Sequence, residues 1–227
     1  MSETLGKMEK PEAASFKLGR KLIFVPLIFL PPNNDSGLSS LVEQYWIEAT
    51  EQVHKLANTL DGVRKVYHEL VPAGTDGLAA MAKIQIGSHG LVETMVKSGA
   101  SLEDTEDQEA LTEFLDWGHC LSLRLESPKV FSEIYNNYTQ AQKKRNEAIG
   151  QRIDESLKND ELGLVLLREE HRVQFPHDIQ VFYVAPPALD ALTRYLRNQL
   201  EKATPETDNQ TDSTQDAQDD QGDLGWL

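Results

Sequence analysis

The sequence predicts an α/β domain: a small, mostly parallel sheet of about four strands covered by five or six helices, followed by an acidic tail. Three observations predict it. Apolar runs of strand length (residues 22–30, 63–71, 163–168 and 179–185) are each closed by proline, or by polar and charged residues. Between them lie longer stretches whose apolar residues recur at three- and four-residue steps, the period of a helix with one buried face. After residue 203 apolar content nearly vanishes, leaving Thr, Asp, Gln, Asn and Glu.

A chain of 227 residues is long enough for one well-filled core. The expected organisation is a flexible arm over residues 1–16, a single α/β domain over 17–203, and a disordered tail over 204–227. Hydrophobic residues at 39% and charged residues at 26% fit a folded body. The formal net charge is −15; the tail holds seven acids and no Lys or Arg, so the remainder still carries −8. An acidic body repels phosphate backbones, and no nucleic-acid partner is expected. The lone cysteine, Cys120, excludes an internal disulfide and suits a reducing compartment. The longest apolar run, residues 22–30, is far short of the roughly 20 residues a membrane helix needs. Pro31-Pro32-Asn33-Asn34-Asp35 follows it in place of a signal-peptidase site, so a cytoplasmic protein with no membrane partner is expected.

Residues 22–30 read as a strand buried on both faces. Pro26 within it cannot donate to a ladder, which implies a bulge or an edge position. Residues 39–60 read as a helix on the stripe Leu41, Tyr45, Ala49, Val53, Leu56 and Leu60, ended by Asp61-Gly62. Residues 63–71 follow as a second strand, closed by Pro72. This strand–helix–strand order suits a parallel crossover. Residues 75–96 have helical spacing interrupted by Gly87-Ser88-His89-Gly90, and read as two short helices. Ser101, with Asp104 three residues on, reads as the cap of a helix reaching about residue 125. Ser127-Pro128 opens the longest helix, which runs to about residue 158. Residues 163–168 and 179–185 are the third and fourth strands. Their short link leaves open a parallel connection or an antiparallel hairpin. Residues 187–203 form the last helix.

In parallel sheets ligands bind beyond the carboxyl ends of the strands. Two strands finish with histidine beside carboxylate: His68-Glu69, and Glu170-His171 after Arg168-Glu169. Side by side, His68, Glu69, Glu170 and His171 would offer imidazole nitrogens and carboxylate oxygens to zinc or another divalent first-row metal. Against this stands the plain reading that such residues are ordinary in surface loops, and no His-Glu-x-x-His motif is present. On the helix over residues 101–125, Asp116 neighbours His119 and Cys120. Adjacent residues diverge by about 100° round a helix, so Cys120 reads as a packing residue. Arg145 and Arg152, seven apart, flank the apolar line Ile149 and Ile153. They would hold an anionic group or pair with Glu169 or Glu170, which makes Arg145, Arg152 and Glu169 the catalytic candidates.

The run Arg145-Asn146-x-x-Ile149-x-x-Arg152-Ile153, then a buried strand and His171, resembles part of the TraB/GumN family. Members of that family carry an Arg-Asn helix before a strand ending in Gly-x-x-His, and some are metal-dependent proteases. The resemblance covers about residues 145–171 and implies a metal-dependent hydrolase. Arg168 stands where the glycine of Gly-x-x-His belongs. Lys65 takes the same place in the earlier Lys65-Val66-Tyr67-His68.

The tail ends in Asp223-Leu224-Gly225-Trp226-Leu227. Apolar anchors closing an acidic linker suit docking on a protein partner, with Asp223, Leu224, Trp226 and Leu227 as the contact residues. Two functions are therefore expected from different classes. The first is a non-catalytic interaction or accessory protein tethered by this peptide. The second is a metal-dependent hydrolase on the His/Glu set.

Overall fold

The computed structural model describes residues 18–29, 36–71, 76–84 and 86–203. The expected N-terminal arm and acidic tail lie outside these residues. In chain order the elements are β1 (Arg20–Leu27), α1 (Ser36–Thr59), β2 (Val63–His68), α2 (Gly77–Ile84), α3 (Ile86–Lys97) and β3 (Ser101–Glu103). They continue with α4 (Gln108–Ser122), α5 (Pro128–Ser156), β4 (Leu162–Arg168), β5 (Ile179–Tyr183) and α6 (Pro187–Ala203). All strand pairs are parallel, in the order β3-β2-β4-β1-β5. The expected α/β class with six helices holds, with one strand more than expected. No helix among the described residues is long and apolar enough to cross a membrane.

The extra strand corrects the reading of Ser101. Residues Ser101–Glu103 pair with Lys65, Val66 and Tyr67 of β2, and α4 starts later, capped by the Asp107 carboxylate, which accepts from Ala110 N at 3.0 Å. A cap needs only an acceptor ahead of an apolar-periodic run, and the acid-rich stretch 103–107 holds several. The helical interruption is also displaced: Gly87 to Gly90 lie inside α3. Gly87 is there for packing, since a Cβ would stand 2.1 Å from the Trp46 indole nitrogen. Ser127 caps α5 as expected, with Pro128 at its first position.

Each face of the sheet is covered. One carries α1, α3 and α6 over Ile23, Val25, Val66, Leu164 and Leu166. The other carries α5 over Leu22, Phe24, Tyr67, Val165 and Leu167. Two covered faces explain why β1 and β4 are apolar almost throughout. Pro26 produces neither a bulge nor an edge, because β1 is interior. In a parallel ladder one residue aims its N–H and C=O to the same side. The Phe24 carbonyl accepts from Val184, so Pro26, two residues on, faces the same way. There β5 has already ended, and the Tyr45 hydroxyl donates to the Pro26 carbonyl at 2.6 Å. The open link from β4 resolves as a parallel crossover: residues 169–178 pass over β1 on the α5 face, and β5 pairs with β1.

Candidate functional site

The connections leaving the carboxyl ends of β2 and β4 diverge, β2 toward β3 and β4 toward β5. In an open parallel sheet this divergence makes the crevice where ligands bind. Here the crevice holds the Glu69 and Arg168 side chains.

Alternation along β2 sends Val66 and His68 to the α3 face, and Tyr67 and Glu69 to the α5 face. Glu69 is 1% exposed. Its carboxylate accepts from Arg168 N at 2.7 Å, Arg168 Nε at 2.6 Å and Arg145 Nη2 at 3.2 Å. Arg145 reaches it from α5, one turn before the core residue Ile149, and also grips Glu106. The Arg145 Nε–Glu106 Oε2 distance is 2.9 Å, and Nη2 donates to the other oxygen. Glu106 additionally accepts from Leu70 N at 3.0 Å. The Arg145 guanidinium lies 4.9 Å from the centre of the Phe114 ring, and Arg168 lies 5.0 Å from that of Phe29. Burial alone would loosen the proton on Arg145, but Glu106 and Glu69 outweigh it and raise its pKa. Two carboxylates and two guanidiniums thus form a charge-balanced network, with Arg145, Glu69 and Glu106 almost wholly buried.

The turn after β2 is held under strain to make this possible. Leu70 adopts φ 69°, a left-handed conformation costly for a residue with a Cβ. Its N–H is fixed by Glu106, and Val71 N donates back to the His68 carbonyl at 3.3 Å. The turn aims Glu69 at α5 while the chain departs toward α2.

His68 is 1% exposed and fully engaged. Its Nδ1 faces the Glu69 carbonyl, which can only accept, so Nδ1 carries the proton. Its Nε2 then accepts from the Ser88 hydroxyl at 2.8 Å, and its backbone N–H donates to Thr105 Oγ1 at 2.9 Å. Burial pushes its pKa down to about 4, so the ring is neutral at pH 7. His171 lies on the other face, tilted against Phe24 at 4.9 Å and Phe175 at 5.8 Å. Its Nδ1 accepts from Val173 N at 3.2 Å, and burial lowers its pKa as well.

The expected constellation is therefore divided. Glu69 and His171 line one small cavity with Arg145, Asn146 and Arg168. His68 points away to Ser88. Glu170 lines a separate groove with Leu27, Phe29 and α6. Among the described residues no group of three or more His, Cys, Asp or Glu side chains is placed to hold a metal ion. Of the other candidates, Arg152 reaches Asp107 at 3.6 Å, and Glu169 accepts from the Tyr183 hydroxyl at 3.0 Å. Neither Glu169 nor Glu170 meets Arg145. Asp116 and His119 are exposed, and Cys120 is half-buried on α4. The contact residues Asp223, Leu224, Trp226 and Leu227 lie outside the described residues.

Sequence reasoning missed Glu106, Ser88 and Thr105. Glu106 sits in the run Glu103-Asp104-Thr105-Glu106-Asp107, where nothing local marks one acid as buried. The one available signal was the pattern around Arg145: an arginine beside the apolar line of α5 requires a buried carboxylate opposite. No family model, curated protein or solved structure matches this chain.

Proposed function

We propose that this protein is a non-catalytic interaction or accessory protein of the cytoplasm, tethering a protein partner through the segment Asp223, Leu224, Trp226 and Leu227. One observation carries the non-catalytic part. The crevice at the carboxyl ends of β2 and β4 is filled by the protein's own charges. The three recorded donors to Glu69 all come from Arg145 and Arg168, and the cavity left beside them is about 10 Å³. A hydrolytic site needs an open position for water or substrate next to its carboxylate. Arg168, standing where the resembled motif has glycine, places its side chain in that position. The balanced charges also give a bound anion or cation nothing to neutralise. Support for the tether comes from composition: an acidic, apolar-poor linker ending in a Leu/Trp/Leu cluster is built to recognise rather than to fold.

The test is a pull-down with the full chain against a Leu224→Ala/Trp226→Ala variant. The expected result is loss of specific co-purifying proteins from the variant, and identical partner lists would remove the tether. Stoichiometric zinc in the purified protein, lost on His68→Ala/His171→Ala substitution, would overturn the non-catalytic reading.

A further inference from the structure

The outer half of the hairpin made by α4 and α5 stands off the body of the domain. From residue 115 to residue 140 no side chain is buried. Yet five of the ten large apolar side chains exposed among the described residues fall there: Leu115, Leu123, Val130, Phe131 and Tyr135, from 40% to 61% exposed. Single exposed apolar residues are ordinary on a monomer, but their concentration on one protrusion marks a contact surface.

Helix geometry explains how this face arises. Phe131 and Tyr135 stand about five turns before Ile149 and Ile153 on α5, and hence on the same side of it. Ile149 and Ile153 bury that side against Leu22, Phe24 and Val165 of the sheet. About 27 Å back along the axis the same side is bare. There Phe131 and Tyr135 stack on each other, with ring centres 6.2 Å apart and planes 15° from parallel, so the aromatic surface is held flat. Helix α4 covers only the neighbouring side. Tyr138 packs on Phe114 at 5.2 Å, and Gly118 leaves room for its ring.

We propose that this face pairs with the same face of a second copy, the two hairpins joining as a four-helix bundle. Two observations select a copy of this chain as the occupant. The first is charge. Residues 115–140 carry three acids (Asp116, Glu126, Glu133) against two bases (Arg124, Lys129), a net −1 in a chain of −15. A surface this close to neutral offers no sign to a basic or acidic partner or to an anionic membrane. It also lets one acidic chain approach another at small electrostatic cost. The second is area. At side-chain areas of about 150–250 Å², the five exposed residues show roughly 500 Å² on each copy. Mating two copies covers roughly 1,000 Å², the least that a specific interface needs, and the partly exposed Leu121, Ile134 and Tyr138 add to it. A two-fold axis between the paired helices sets Phe131 of each copy against Tyr135 of the other. The inference goes beyond the tethering reading and does not depend on it.

Sedimentation of the full chain from about 1 to 100 µM tests it. The expected result is a dimer that dissociates on dilution, and Phe131→Asp/Tyr135→Asp should weaken it at least about thirtyfold. Val181→Asp, at another exposed apolar residue on the edge strand β5, should leave it unchanged. All three positions are exposed, so these replacements leave the core untouched. Added salt should tighten the dimer, because it screens the repulsion between two acidic bodies and spares the apolar contact. A chain that is monomeric throughout this range would overturn the proposal and give the face to another occupant. So would a dimer that survives the paired Phe131 and Tyr135 changes, one that Val181→Asp abolishes, or one that salt dissociates.

Discussion

Arg145 and Glu106, 39 positions apart in sequence, form a two-pronged ion pair in which neither side chain is more than 4% exposed. A buried pair of this kind is weak evidence for net stability, because desolvation of both ions offsets most of their attraction. Its consequence is asymmetric. Removing one partner leaves the other charged, buried and alone. Arg145→Met should lower the unfolding free energy by about 3–5 kcal/mol. Arg145→Lys should recover little of that, since an ammonium cannot bind both oxygens of Glu106 while reaching Glu69. Urea denaturation of the two variants checks this. A loss below about 1 kcal/mol for Arg145→Met would mean the network does not close the crevice.

The buried His68 makes stability depend on pH in a defined direction. In the folded protein its pKa is about 4, against an unperturbed value near 6.5, because burial disfavours the imidazolium. Between these values the unfolded chain binds the proton and the folded protein does not. The contribution is therefore fully present above pH 6.5 and is lost as pH falls toward 4, by roughly 3 kcal/mol at most. His171, lowered in the same direction, adds to the slope. A His68→Gln variant should show a shallower fall in stability between pH 6.5 and 5 than the parent. Parallel curves would mean that His68 titrates normally in the fold.

What the sequence revealed follows from how local each signal is. The stripe on α1, the Ser127-Pro128 cap and the apolar runs of β1 and β4 are each decided within a few residues, and all were legible. Ser101–Glu103 was not, because three residues at a sheet edge carry too little alternation to distinguish a strand from a cap. Pro26 misled for a related reason: a prolyl nitrogen is excluded from a ladder only where a neighbour is waiting, and β5 stops short of it. At the crevice Arg145 and Glu69 were identified as chemically notable, but their partners Glu106 and Arg168 come from distant segments. The sign of each residue's neighbour is a property of topology. His68 and His171 illustrate this best, for parity along each strand and turn sends them to opposite faces.

Strain at Leu70 gives a prediction of the opposite sign to most substitutions. A left-handed conformation costs a residue with a Cβ about 1–2 kcal/mol, and glycine adopts it freely. Against this, glycine gains entropy in the unfolded chain and gives up the half-buried contacts of the leucine side chain. The expected result for Leu70→Gly is a small gain in stability, up to about 1 kcal/mol, with the Glu106 bond to the backbone N–H retained. Thermal unfolding decides it. A loss above about 1 kcal/mol would show that the Leu70 side chain, and not the backbone geometry, is what the turn requires.

Two glycines on neighbouring helices should respond oppositely to one substitution. Gly118 lies within α4, where an added Cβ would meet Tyr138 at 3.7 Å, an ordinary contact. Gly118→Ala should therefore stabilise by up to about 1 kcal/mol, the helix preference of alanine over glycine. Gly150 on α5 has the same intrinsic preference, but its added Cβ would meet the Gln174 carbonyl oxygen at 2.9 Å. That oxygen belongs to the main chain and cannot rotate aside, so residues 172–176 must shift away from the helix. Overpacking of this kind costs about 1–3 kcal/mol, and Gly150→Ala should destabilise despite its better helix propensity. It should also accelerate exchange at Gln174 and Phe175 while leaving α4 unchanged. Equal stabilisation of both variants would mean that the loop is free to move off α5.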